Sequence, residues 1–290
     1  MSWQAVARKD FWDAIRSRLL IVLTALFVIF AAGAAYVVTE IDPPQQAQFT
    51  GEVTTFLLII GLVQATAVFI PIVSIAVAYR SLAGERDSGS LKLLLSLPNS
   101  RADVVIGKFL GRAGVVSVAL FVGFAVGLVV TASLADAFSA PEYLAFVGVS
   151  LLFAFVFVAI AVGVSAFTSS TSRAAYGAFG LFVVFQFLWN VIAQAVVYVV
   201  NGFTFEGLGN LEPGDTIFNL FQFIQILSPT TAYQQGTQWV ILRIAEEEET
   251  QQATAEVPFF VEDWFGFVIL LVWIILPLAI GYLRFDATDL

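Results

Sequence analysis

The 290 residues include no cysteine and no histidine. Without cysteine there can be no disulfide and no thiolate metal site. Without histidine the commonest general base and metal ligand is missing. Ser–His–Asp and Cys–His nucleophile sets are excluded with them. Charge is scarce: 12% of residues are charged, against 59% hydrophobic. The long apolar runs contain no Asp or Glu, which argues against a proton-coupled carrier, since that needs ionisable groups at membrane depth. Lys9, Lys92 and Lys108, the three lysines, flank the runs, so a buried Ser–Lys dyad has no support. Gly84 and Gly89 have the glycine spacing of a phosphate-binding loop, but Ser90 stands where its lysine belongs and no strand precedes it. The chain is therefore not expected to bind nucleotide, and no catalytic residue, cofactor, metal or nucleic-acid partner is expected.

What is present is apolar length. Several runs exceed the ~18 residues that mark a membrane span. Six spans are expected, at about 19–39, 53–79, 113–134, 144–167, 175–200 and 265–283, giving an all-α polytopic fold in one membrane domain, residues 1–290. The apolar core from Leu19 to Val38 exceeds the ~7–15 residues of a signal-peptide core, so it reads as a span. Pro71 predicts a kink in the second span. Residues 2–18 are amphipathic, with Trp3, Val6, Phe11, Ala14 and Ile15 set against Arg8, Lys9, Asp13 and Arg16, and fit an interfacial elbow helix. Thr216–Leu227 is aromatic and apolar but too short to span. It reads as an interfacial or re-entrant helix, followed by a second short helix over 229–245.

The charges divide by sign. On this topology 12 of the 13 basic residues fall on one side together with both termini, and only Arg243 falls on the other. By the positive-inside rule the basic side is the cytoplasm of a plasma-membrane protein. The acidic opposite side and the use of Arg over Lys resemble the composition of an archaeal halophile.

Polar side chains at depth are few. Gln64 and Ser74 lie in the second span. Gln186, Asn190 and Gln194 lie in the fifth at i, i+4 and i+8, which places them on one face. They serve either as interhelix hydrogen bonds, worth about 0.6–2 kcal/mol each, or as the lining of a substrate path. Gly123 and Gly127 in the third span, and Gly107 and Gly111 before it, have the spacing that lets membrane helices approach closely.

The stretch 80–112, RSLAGERDSGSLKLLLSLPNSRADVVIGKFLGR, holds six of the basic residues. It reads as two short helices around Pro98, which ends the first. Asp87 or Ser88 is suited to cap the first helix. Leu91, Leu93, Leu94, Leu95 and Leu97 then spread over a wide apolar arc that needs a partner or the membrane surface. Ser100 with Asp103 is a capping signal for the second helix. Its Arg101, Lys108 and Arg112 are expected near the lipid headgroups.

This stretch resembles the loop between the second and third membrane helices of type-2 ABC exporter permeases. The matching residues are Glu85, Arg86, Gly89, Leu91, Leu94, Leu95, Ser96, Pro98, Ser100, Arg101, Gly107 and Lys108. The branch it is most similar to is that associated with multicopper-enzyme or nitrous-oxide-reductase maturation. The resemblance implies a coupling helix, with Glu85, Arg86, Leu91, Leu94 and Leu95 meeting a separate ABC ATP-binding subunit, and pairing with a second permease copy or paralogue in the lipid bilayer. It also implies an elbow helix and short external helices before the last span. A non-transport scaffold or assembly factor on the same fold is the alternative.

The topology is tested by single cysteines and a membrane-impermeant maleimide added from outside. Gln251→Cys should react and Ser88→Cys should not. Labelling of Ser88→Cys, or protection of Gln251→Cys, overturns it.

Overall fold

The computed structural model describes residues 3–37, 55–91, 96, 100–135, 138–204, 215–244, 258–262 and 264–287. Among these residues all regular structure is helical. The helices are α1 (Trp3–Ile15), α2 (Arg18–Tyr36), α3 (Thr55–Ala78), α4 (Ala83–Asp87), α5 (Arg101–Leu134), α6 (Ala140–Phe167), α7 (Thr171–Val183), α8 (Trp189–Val200), α9 (Thr216–Ile226), α10 (Pro229–Ile244) and α11 (Phe265–Asp286). A π-helical turn, Val184–Leu188, joins α7 to α8 in one long helix. Six helices among the described residues are long and apolar enough to cross a membrane, and each overlaps one of the six expected spans.

The third span differs from expectation in length. The polar segment after Pro98 and the apolar run form one 34-residue helix, α5, rather than a short helix followed by a span. Ser100 and Asp103 form a reciprocal capping box at its start, as their spacing predicts. At 1.5 Å per residue α5 is about 51 Å long. The hydrocarbon layer is about 30 Å thick, so α5 is about 20 Å longer than the layer is deep.

α6 is the axis of the bundle. It is apolar on every side, and a helix of that kind must be enclosed. Phe153, Phe157, Val158 and Ile160 are fully buried, with α3, α5, α10 and α11 packed around α6. Toward one end an aromatic cluster joins α2, α3, α5 and α6: Phe30 stacks on Phe69 at 4.4 Å, and Phe27 meets Phe69 and Phe124 at 5.3 and 5.1 Å. Phe146 of α6 completes it, edge-on to Phe124.

The α5 glycines are used within the chain. Gly107 and Gly111 admit the backbone of α1, and Gly123 admits the ring of Phe27 from α2. α6 and α11 meet main chain to main chain. A methyl group on Gly163 would overlap the carbonyl of Pro277, and one on Gly281 would overlap the carbonyl of Gly163. The two backbones touch there with no side chain between them.

α9 and α10 form a hairpin whose turn packs inside the bundle. Tyr233 of α10 is fully buried, with its hydroxyl 2.9 Å from that of Thr66 in α3 and 2.8 Å from that of Ser150 in α6. Thr66 lies midway along α3, so α10 reaches the middle of the bundle. The hairpin turn is held by Trp273 Nε1, which donates to the Leu227 carbonyl at 2.8 Å, and by the Ser228 hydroxyl, which donates to the Phe185 carbonyl at 3.5 Å. Trp189 Nε1 donates to the Ile224 carbonyl at 2.8 Å, fixing α9 as well.

Gly163→Val should lower the melting temperature of the purified protein. Overpacking of this kind costs about 1–3 kcal/mol, or about 2–10 °C for a chain of this size. Gly148, where an added methyl group would meet nothing within 4 Å, is the control; Gly148→Ala should melt like the native protein. Equal melting of Gly163→Val and Gly148→Ala would mean that the contact is not tight.

Candidate functional site

The site builds outward from α4, the five-residue helix Ala83–Asp87. It follows α3 at the end of the bundle that carries the basic residues. Nothing in so short a helix is self-supporting, so its position depends on what its side chains reach. Its entry is pinned by Ser165 of α6, whose hydroxyl accepts from the Leu82 and Ala83 amides at 3.1 and 2.9 Å.

Each charged residue of the Glu85–Arg86–Asp87 run then binds a different element. Glu85 accepts from Lys108 of α5 at 2.5 Å. Arg86 donates to the carbonyl of Thr168, just past the end of α6, and lies 5.7 Å from the ring of Phe285 in α11. Burial lowers the Arg86 pKa, helped by the nearby Arg101 charge. Asp87 accepts from both the hydroxyl and the backbone amide of Thr171, the latter at 2.9 Å, at the start of α7. The Thr171 hydroxyl, then its amide, hold the Asp87 carboxyl below the usual carboxylate range. The sequence suggests Asp87 or Ser88 as a cap for the leucine helix that follows; Asp87 binds the first turn of α7 instead, where a carboxylate also complements the helix dipole.

Lys108 links this run to the elbow helix. Its ammonium lies 2.7 Å from Asp10 of α1, and Arg112 Nε lies 2.7 Å from the other Asp10 oxygen. Arg112 also donates to the Val77 carbonyl of α3 at 3.0 Å. Asp10 is 3% exposed and Lys108 5%. The expectation that Lys108 and Arg112 lie among lipid headgroups is therefore corrected. Both point into the protein, because α1 brings a buried carboxylate that neutralises them. Arg101, the third residue of that set, donates to the Phe285 and Asp286 carbonyls and closes the C-terminus of α11. Sequence reasoning missed Asp10; its signal was an acidic residue one helical turn from Val6 and Ala14 on the apolar face of the elbow.

The leucine arc is only partly in view. Leu91 is 1% exposed and belongs to the chain's own core, so it has no surface to offer a partner. Leu94 and Leu95, with Leu93 and Leu97, lie outside the described residues.

The amide stripe of the fifth span divides. Gln194 Nε2 donates to Asn190 Oδ1 at 2.6 Å, and both are exposed. Gln186 faces the Thr230 hydroxyl, 3.4 Å away at the hairpin turn. The π-helical turn at Val184–Leu188 alters the pitch between them, so a uniform 3.6-residue period does not place all three on one face. A second amide pair joins α3 to the hairpin: Gln234 Nε2 donates to Gln64 Oε1 at 3.0 Å on the exposed face. Gln64 stands out in the sequence, but Gln234 sits in a mixed helix with no period to mark it.

Comparison with known proteins agrees with this architecture. The model of the ABC-2 family transporter proteins matches residues 4–290, and the chain belongs to that family. It is thus a membrane subunit of an ABC transporter, multi-pass in the cell membrane. Among curated proteins it is similar to the probable ABC transporter permease protein NosY of Pseudomonas aeruginosa, with 29% identity over 233 residues, 79% of this chain and 78% of the relative. The protein of the same description from Stutzerimonas stutzeri is 27% identical over the same shares.

Lys108→Met should destabilise the fold by about 3 kcal/mol or more, because it leaves a buried carboxylate short of a partner. A double-mutant cycle with Asp10→Asn, read by thermal unfolding, should show coupling of at least about 1 kcal/mol. Additive losses would show that the Lys108–Asp10 contact contributes nothing.

Proposed function

We propose that the chain is the permease of an ATP-driven exporter, and that residues 80–112 couple it to a separate ATP-binding subunit. One observation supports the reading best. The charged run 85–87 is bonded directly to α5, to α7 and to the end of α6, it lies against α11, and through Lys108 it reaches α1. A push on this segment therefore moves the ends of five helices together. Family membership implies an ATP-binding partner in general, and the lack of a phosphate-binding loop in this sequence agrees with that division of labour.

The roles assigned from the sequence are revised accordingly. Leu94 and Leu95 face the ATPase groove; burying one leucine there stabilises by roughly 1.5–3 kcal/mol. Leu91 anchors the segment to the permease. Glu85 and Arg86 transmit movement rather than rim the docking surface. Both termini and this segment are cytoplasmic on the charge argument. A second permease copy or paralogue completes the transporter, and the exposed amide pairs Asn190–Gln194 and Gln64–Gln234 face the substrate path.

Co-purification with the cognate ATPase from detergent extract is the test. Leu94→Asp should release the ATPase while the permease stays inserted. Glu85→Ala should retain the ATPase but reduce its stimulation by the permease. Normal ATPase recovery with Leu94→Asp refutes docking through this segment. ATPase retained by every variant, with no stimulation even by the native permease, would favour the scaffold reading.

A further inference from the structure

A groove of about 240 Å³ opens on the outer surface of the bundle between α6, α7 and α11. Its lining includes Val164 and Phe167 of α6, Leu181 of α7, and Trp273, Pro277 and Ile280 of α11. The floor exists because Gly163 lets α11 sit directly on the α6 backbone at Pro277, while the larger side chains on either side stand up as walls. The lining surface is wholly apolar. Phe167 and Ile280 remain about half exposed, at 52% and 48%, so the groove opens sideways toward lipid.

One end of this groove is charged. Arg284 follows Ile280 by one helical turn and therefore shares its face. Its guanidinium lies 6.0 Å from the ring centroid of Phe167, a wall residue. Arg173, at the start of α7, is exposed at the same end of the bundle, with Nη1 3.1 Å from the Ser169 hydroxyl. None of the residues lining the groove is acidic. Length, polarity and charge thus run in one order: an apolar trough at membrane depth, then guanidinium groups where the spans leave the hydrocarbon.

We propose that this groove is a binding site for an anionic phospholipid of the surrounding bilayer. One acyl chain lies in the trough, between Leu181 and Ile280, and the phosphate meets Arg284 and Arg173. A guanidinium suits this task because its planar donors pair with phosphate oxygens. A chain seated in a trough touches protein on three sides, whereas one lying on a flat face touches it on one and exchanges as solvent does. The inference does not depend on how the permease couples to an ATPase.

Native mass spectrometry of the full chain, with phosphatidylglycerol or phosphatidylcholine of identical acyl chains, tests it. The native protein should retain phosphatidylglycerol at about five-fold higher occupancy. Arg284→Gln, a surface change, should bring the two lipids close to parity. Ile280→Trp, which fills the trough, should reduce occupancy of both at unchanged melting temperature. Equal retention of the two lipids by the native protein overturns the proposal. So does a phosphatidylglycerol preference that Arg284→Gln leaves intact. Should Ile280→Trp lower the melting temperature, Leu181→Trp supplies the second trough-filling variant, and undiminished lipid occupancy in it would likewise overturn the proposal.

Discussion

One buried carboxylate holds the basic end of the bundle together. Asp10 Oδ1 accepts from Lys108 and from Arg112 Nη2, with Arg112 Nε 2.7 Å from Oδ2, and Lys108 in turn meets Glu85. None of these charges is tolerable alone in a buried position, since desolvation of an isolated ion costs several kcal/mol. Helix α1, the first turns of α5 and the short α4 therefore take up their positions together. Two smaller contacts complete the arrangement: the Trp3 amide on Asp103 at 3.1 Å, and the glycines of α5 beneath the backbone of α1. Helix α1 buries Val6, Asp10 and Ala14 and so belongs to the packed bundle.

Within the bundle the governing constraint is that polar groups must find partners inside the protein. The hairpin α9–α10 meets it with one aromatic side chain. The Tyr233 hydroxyl joins Thr66 and Ser150, while its ring stacks on Phe153 at 4.3 Å. The phenol serves as a neutral connector among three helices, with its polar atom satisfied and its ring adding to the core. The π-helical turn opposite is the complementary device. Within it the Phe185 carbonyl accepts from the Ser228 hydroxyl of the hairpin turn at 3.5 Å.

The fold is legible in the sequence because membrane spans announce themselves by length and hydropathy, and because basic residues sort by side. The cap at Ser100 and Asp103 is readable for a local reason: its partners are three residues apart. The site is less so. Lys108 and Arg112 look like ordinary helix-end cations, because their partner Asp10 lies about a hundred positions away and no local pattern connects them. Asp87 looks like a cap for the leucine helix that follows it and binds the start of α7 instead. The amide stripe rests on a regular period, and a single π-helical turn divides it. Composition leaves the depth of the hairpin open, since an 11-residue apolar helix suits the interface and the interior equally.

The contact between Gly163 and the α11 backbone has a mechanical meaning. Helix pairs that interlock through side chains, as ridges fit grooves, resist rotation because the teeth must disengage. At Gly163 and Gly281 there are no teeth. Two smooth backbone surfaces lie one upon the other, with Arg86 and Arg101 gripping Phe285 one turn beyond Gly281. At such a contact the place of α11 is set by main chain against main chain rather than by the choice of side-chain rotamers, and the charged segment that α1 holds grips the same helix one turn further on.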